Sequence, residues 1–392
     1  MLKIAVILLN FIFSNLCNAN EFIKKNEIDL ALETIRDSHN IPALAVAIVN
    51  EGKEVYTAGF GTYGEEGTRQ VSQHTLFRIA SISKLFTAQA IVQLMESNLI
   101  NLNDCVSKYL SQFKGCDIKI LDLMTHTSGL SDAIKPEKIT VKRSFEDYLA
   151  SSLASYDIKG SKAFEYADLN FNILGRIIEI VSGISYTDYI QQHNFDKIGM
   201  ENSGFNLDNK QFEPSVLAYY NYGYVKKAST RPYDASFAPS EGLISSVADL
   251  SIWIQSVLQH DERLLNESSY QNMLEPRKDT VWGSIKMGLA WQLYQVDGEQ
   301  VAQHAGSITG FKSLLITYPA KNRAIIILGN SQNVPRWEIA TVINSILDDK
   351  SYALPPSSQG KYKAYIIIFA LIIIICIAVI VRKKLNNPTK SS

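Results

Sequence analysis

Ser81 and Lys84 lie three residues apart in FRIASISKLFTAQAIVQLMESNL, residues 77 to 99, and together they form a candidate activated nucleophile. From Ile79 to Leu99 the stretch reads as a helix that is apolar on nearly every side, with Lys84 its only cation. Such a helix is buried. A lone lysine in that setting loses hydration, which disfavours its charged form and lowers its pKa toward values at which it accepts a proton. At i, i+3 it shares a face with Ser81. Ser81 falls in the first turn, where free backbone N–H groups and the positive end of the helix dipole favour an oxyanion. The spacing alone says little, because S-x-x-K recurs at Ser111/Lys114 and Ser358/Lys361. The hydrophobic helix that follows distinguishes Ser81 from the other two.

The elements around this helix point to an α+β fold. Residues 43–49 and 53–60 are strand-like runs joined by a hairpin at Asn50-Glu51-Gly52. Residues 100–200 are mostly helical in pattern, with N-cap signals at Ser144 with Asp147 and at Ser185 with Asp188. Residues 212–242 lack periodicity and are rich in tyrosine and proline, as in a loop that lines a cleft. Ser246 caps a helix running to about His260, and strands return at 287–296, 299–305, 311–318 and 323–329, the first pair turning at Asp297-Gly298. A closing amphipathic helix covers Arg336 to Leu347. Strands, helices, strands and a helix in that order imply an antiparallel sheet built from both chain ends around an inserted helical subdomain, with flanking helices.

With 392 residues, 46% of them hydrophobic, the chain is long enough for one large domain or two interleaved subdomains. A formal net charge of −1 excludes a nucleic-acid partner on electrostatic grounds. Lys3, an apolar run from Ile4 to Leu16 and Cys17-Asn18-Ala19 describe a signal peptide, residues 1–19. The domain occupies 20–350 and a Pro/Ser linker 351–363. The uncharged apolar run 364–381, about 27 Å long as a helix, reads as a transmembrane helix, with a cytoplasmic tail at 382–392 led by Arg382, Lys383 and Lys384. The expected localisation is a single-pass membrane protein with its catalytic domain periplasmic or extracellular. Cys105 and Cys116 are the two cysteines of the exported part, either one disulfide or two free thiols. No metal-ligand spacing is present among Cys and His.

Five stretches carry a family resemblance: FRIASISK around Ser81; DLMTHTSGL from Asp122 to Leu130; Tyr166-Ala167-Asp168 leading into NFNILGRIIEIVSG; EGLISSVADLSIW from Glu241 to Trp253; and His304-Ala305-Gly306-Ser307. In this order, from about Asn26 to Leu347, the chain resembles the serine beta-lactamase and penicillin-binding-protein-like family, in particular its class C beta-lactamase-related branch of esterases, D-aminopeptidases and carboxypeptidases. The resemblance implies a beta-lactamase-like fold, Ser81 as acylated nucleophile, Lys84 as its proton-accepting partner and Tyr166 as second proton carrier. It also implies an oxyanion hole formed by the backbone N–H groups of Ser81 and Ser307, with Gly306 beside it. No cofactor or metal is implied. Asp122 and His126 are expected to be structural, with Gly129 ending their helix.

Two positions depart from the family pattern. Asp168 stands where Asn is frequent. It either caps a helix starting at Leu169, or sets a carboxylate near Lys84 that raises the lysine's pKa, blunts it as a base and attracts a substrate amine. His304 stands where penicillin-interacting members carry lysine, and a histidine largely neutral at pH 7 is a poorer handle for a substrate carboxylate. The expected function is an exported, membrane-anchored serine hydrolase acting through an acyl-enzyme on an ester or amide, with beta-lactam or D-Ala-D-Ala hydrolysis ranked below esterase or aminopeptidase action. Its expected substrates are small molecules or peptides, peptidoglycan-derived fragments and acylated envelope polymers among them. The alternative is a non-hydrolytic sensor or binding protein that keeps the cleft.

Overall fold

The computed structural model describes residues 23–63, 67–115, 117–132, 144–153, 163–205, 216–221, 225–227 and 235–356. Helix α1 covers 23–38. The main sheet comprises β1 (Ala43–Asn50), β2 (Lys53–Tyr63), β3 (Arg69–Gln70), β4 (Lys278–Asp279), β5 (Lys286–Met287), β6 (Gln292–Val296), β7 (Glu299–Ile308), β8 (Phe311–Tyr318) and β9 (Arg323–Gly329). All its pairs are antiparallel, in the order β3-β2-β1-β9-β8-β7-β6-β5-β4. The two chain ends meet at the centre, where β1 pairs with β9 in the register Ala47↔Ile326. Nearly every residue of ALAVAIVN and RAIIILG is buried, so these strands are covered on both faces and read as continuous apolar runs instead of alternating ones.

Helix α2 (Ser83–Glu96) is buried at eleven of its fourteen positions, as an all-round apolar helix requires. Long helix α4 (Asp168–Ser182) packs with it, and short helix α3 (Ile120–Met124) packs on α4. Close approach of α4 to the segment Ala238–Glu241 depends on Gly175, where a Cβ would lie 2.1 Å from Pro239 Cγ. Helix α5 (Val247–Leu258), capped by Ser246 Oγ accepting from the Asp249 N–H, lies on β1 and β9. Helix α6 (Glu267–Met273) and helix α7 (Arg336–Leu347) follow. Residues 23–40 and 341–356 form a second contact unit. Within it, α1 is tied to the C-terminal segment by Lys24 Nζ donating to Leu347 O at 3.0 Å, Ser38 Oγ to Pro356 O at 3.0 Å, and Tyr352 to Glu27 at 2.8 Å.

The structure departs from the sequence expectations at several points. The run 287–296 is two strands, because Gly288 and Ala290 turn the chain: the Gly288 N–H donates to Trp291 O and Ala290 takes φ +68°. Helix α3 stops at Met124 and not at Gly129, with Thr125 Oγ1 folding back onto Leu121 O and His126 left-handed at φ +57°. Cys105, for which a disulfide and a free thiol both stood open, is a free thiol, and Cys116 lies outside the described residues.

The fold class and localisation also need correction. A membrane-spanning helix pairs its own backbone groups, and among the described residues no helix is long and apolar enough to cross a membrane. The C-terminal transmembrane helix expected at 364–381 from hydropathy, length and flanking cations lies outside the described residues, as do the signal peptide at 1–19 and the tail at 382–392. The membrane helix is withdrawn from the fold, which stands as the α+β domain, and the single-pass membrane localisation is withdrawn with it.

Candidate active site

Ser81 sits in a 3₁₀ turn, Ala80–Ile82, that feeds directly into α2. Ala80 takes φ +51°, a left-handed conformation that costs an L-residue of order 1–3 kcal/mol and persists only where neighbours hold it. The neighbours are serines. Ser83 Oγ donates to Ala80 O at 2.7 Å and accepts from the Leu243 N–H at 3.1 Å, while Ser313 Oγ donates to Ile79 O at 2.7 Å. No side chain caps this turn. Strand β7 passes alongside at backbone distance: a Cβ on Gly306 would lie 2.2 Å from Ile79 O. Because β6 pairs with β7 only as far as Gln303, the edge from His304 to Ile308 is left open beside the Ser81 turn.

Lys84 is fully buried and its ammonium has three oxygen acceptors: Ser81 Oγ at 3.1 Å, Ser240 O at 2.9 Å and Asp168 Oδ1 at 2.5 Å. Burial alone would lower its pKa, but the Asp168 charge, helped by Tyr166 and by the hydrogen bond to Asp168, outweighs burial and holds the ammonium above its ordinary value. The expectation of a depressed lysine is therefore reversed, because the apolar helix does not provide the whole environment. Asp168 is the first residue of α4 and makes no side-chain capping bond. The cap comes instead from Asp132, whose two carboxylate oxygens accept the N–H groups of Asp168 and Leu169 at 3.0 Å each. Burial and the Asp168 charge push the Asp132 pKa up, against those backbone bonds and Lys84.

Tyr166 lies beneath the same ammonium, which sits 5.0 Å from its ring centre. Burial raises its pKa, Lys84 opposes, and Asp168 adds to the rise. The ring is held by stacking on His126 at 4.2 Å. His126 is fully buried, its Nδ1 accepting from the Ala167 N–H at 3.2 Å, and burial with the Lys84 and His304 charges keeps it well below the usual histidine range. Sequence reasoning gave His126 only a generic structural role. The contact with Tyr166 is specific, and the HTSG stretch was its only visible signal. On the other side, Trp282 and Phe164 form an aromatic wall, with Trp282 5.7 Å from Tyr166 and 37% exposed.

His304 faces Tyr166 at 6.3 Å between ring centres and is buried, its Nδ1 bonded to Ala305 O. Burial and Lys84 push its pKa down to about 3, so it is neutral at pH 7. Ser307 is exposed at the open edge and its Oγ accepts from the Lys312 ammonium across the β7–β8 pair. Arg336 donates to Gly306 O, and to Ser313 O at 2.8 Å. Neither Lys312 nor Arg336 makes an ion pair among the described residues. Burial and Arg336 lower the Lys312 pKa. Sequence reasoning missed Asp132, Ser240, Lys312 and Arg336. Each reaches the site across a distance that periodicity does not report. The other S-x-x-K with described residues, Ser111/Lys114, lies exposed on a 3₁₀ turn. Among the described residues no His, Cys, Asp and Glu cluster could hold a metal ion.

These elements recur in known proteins. The chain is 27% identical over 352 residues to Protein flp of Staphylococcus aureus (strain MW2), covering 86% of this chain and 70% of that one. It is 25% identical over 364 residues to Penicillin-binding protein 4* of Bacillus subtilis (strain 168), covering 87% and 80%. The fold superposes on a class C beta-lactamase with a TM-score of 0.72 at 22% identity, over 85% of this chain and 98% of that one. The Beta-lactamase family model matches residues 28–345, which take in the Ser81 turn, Lys84, Tyr166 and the open edge of β7, so the chain belongs to the beta-lactamase family of serine hydrolases.

Proposed function

We propose that the protein hydrolyses an ester or amide through an acyl-enzyme on Ser81. The observation that carries this reading is the buried Lys84 ammonium, shared between Ser81 Oγ and Asp168 and lying over the Tyr166 ring. Lys84 and Tyr166 act as a pair that must lose one proton before it can take another. In the reactive form the pair takes the Ser81 hydroxyl proton as Oγ attacks the carbonyl carbon. The tetrahedral oxyanion is received by the N–H groups of Ser81 and Ser307, aimed at charge that exists only in that state. The pair then returns the proton to the leaving group. Water attacks the ester, its proton passes to the pair, and the pair reprotonates Ser81 Oγ as the acid departs.

Neutral His304 and the apolar wall of Trp282 and Phe164 favour an uncharged ester or amide bearing an apolar group. A carboxypeptidase-like second reading, toward peptidoglycan-derived peptides, is favoured by Lys312, whose ammonium at Ser307 Oγ places a cation near the proposed oxyanion donor. Intact-mass detection of fluorophosphonate on Ser81, with turnover of p-nitrophenyl esters and of D-alanyl-D-alanine peptides, tests both readings. Labelling that disappears in Ser81→Ala, with ester turnover exceeding peptide turnover, is the expected result. Absence of both labelling and turnover in the folded protein would remove the acyl-enzyme reading. Peptide turnover above ester turnover would select the second reading.

A further inference from the structure

A cavity of about 190 Å³ lies away from Ser81, walled by α5, α6 and the start of β6 and reached on α2 only through Gln89. Gln89 is eight residues beyond Ser81, roughly 12 Å along the helix. Its walls include Trp253, Trp291, Tyr270, Met273 and Leu274. The two indoles face the space as parallel plates, 4° apart in orientation with centres 6.3 Å apart, and Tyr270 stacks on His260 near the rim. Most polar groups here are already engaged. Trp253 Nε1 donates to Gln89 Oε1 at 3.0 Å, Gln89 Nε2 to Asn194, Tyr270 to Asp261 O and Thr317 Oγ1 to Ala302 O. Trp291, 2% exposed, makes no indole N–H hydrogen bond among the described residues, and the His260 ring and the Asn322 side chain also line the space.

The lining is mainly apolar, with Trp253, Trp291, Val257, Leu258, Met273 and Leu274 around these polar groups. An apolar cavity of about 150 Å³ lined by Leu, Ile and Phe is known to take benzene. We infer that this cavity is a binding site for one small, neutral aromatic ring carrying a hydrogen-bond acceptor, seated against the Trp253 and Trp291 planes with its acceptor at the Trp291 N–H. None of the residues used here belongs to the Ser81 cluster, so the site stands independently of the proposed reaction.

The test is calorimetric titration of the full chain with anisole and with benzene, followed in parallel by tryptophan fluorescence. One anisole per chain binds saturably. Leu274→Trp, which fills the space, abolishes binding while the melting transition and fluorophosphonate labelling of Ser81 stay as in the parent. Trp291→Phe keeps the ring, removes the donor, weakens anisole by about 2- to 10-fold and leaves benzene unchanged. If Leu274→Trp does not fold, Val257→Phe fills the cavity from α5. No saturation up to the solubility limit, or binding that survives the filling variant, overturns the site. Equal losses for anisole and benzene in Trp291→Phe overturn the assigned acceptor.

Discussion

Replacing Asp168 with Asn tests whether this carboxylate restrains the proton pair. Asn keeps an oxygen for the Lys84 ammonium, 2.5 Å away in the parent, and removes only the charge. That charge raises the pKa of Lys84 and adds to the rise at Tyr166, so its loss lowers both. An opposite charge in such contact is worth about 1.4–4 kcal/mol, or about 10- to 1000-fold in the fraction of the pair that has lost its proton. The assay is kcat/KM for a p-nitrophenyl ester from pH 5 to 10, with the fluorophosphonate labelling rate over the same range. The parent should gain about tenfold per pH unit from neutrality upward, and Asp168→Asn should show the same limb displaced to lower pH, with at least about tenfold faster acylation at pH 7. Stability provides a second measure. In the parent the raised Lys84 pKa makes its contribution complete below pH 10.5, lost only as pH rises through the folded-state value. In the variant the ammonium keeps Ser81 Oγ, Ser240 O and the Asn oxygen but loses its counter-charge, so its stabilising contribution is smaller throughout that range, by up to the roughly 3–5 kcal/mol of a broken buried pair. A limb that does not move, or activity that collapses with the limb in place, would refute the restraint and make Asp168 itself a required proton acceptor.

Three further outcomes are expected. His304 and His126 are buried neutral, with His304 near 3 in the fold against 6.5 unfolded, so the unfolded chain binds more protons below pH 6.5. Urea denaturation should therefore show stability falling by about 1.4 kcal/mol per pH unit per histidine between pH 6 and 4, with a shallower fall in His304→Gln. Gly306→Ala would set a Cβ 2.2 Å from the immobile Ile79 carbonyl and 2.1 Å from Ser313 Oγ. It should cost about 1–3 kcal/mol in thermal stability and slow Ser81 labelling by at least about 100-fold, as β7 is forced off the nucleophile turn. Trp282→Ala removes part of the apolar wall beside Tyr166, and steady-state kinetics should show KM for aryl esters rising about 3- to 10-fold with kcat within about twofold.

What could be read in the sequence was whatever rests on local periodicity or a local cap. The hairpin at Asn50-Glu51-Gly52, the buried α2, the Ser246 cap and the closing helix Arg336–Leu347 all follow from side chains within a few residues of one another. Failures occurred where a distant backbone decides. Gly288 breaks the run 287–296 because a Cβ there would meet Met273 O at 2.5 Å, and an isolated glycine in a strand pattern was the signal available. Ser81 and Lys84 were visible as a pair, and the structure places them in contact. Of the environment of Lys84, the Asp168 carboxylate was one of two readings offered by the departure from the family pattern, whereas Ser240, 156 residues away, had no local signal. The membrane helix at 364–381 was an inference from hydropathy, length and flanking cations, which report a preference for lipid and not a formed element.

The choice between capping and ion pairing at Asp168 was settled by a third residue. A helix N-terminus accepts one carboxylate well, and Asp132 takes that place from 36 residues upstream. With its N–H groups already satisfied, α4 has no use for the Asp168 side chain as a cap, and the nearest uncompensated charge is Lys84. After burial, the Asp168 charge nearby is the next cause of the raised Asp132 pKa. Lys84 offsets one of these negative charges and the helix dipole part of the other. Before any substrate arrives, this side of the cleft is therefore negative or neutral, and the described cations, Lys312 and Arg336, lie on the far side of β7's open edge. An anionic group is disfavoured beside α4 and tolerated beyond Ser307, so substrate charge and orientation are coupled. Asp132→Asn keeps one acceptor for the helix and removes one charge, and it should ease entry of an anionic group next to Tyr166 without changing the fold of α4.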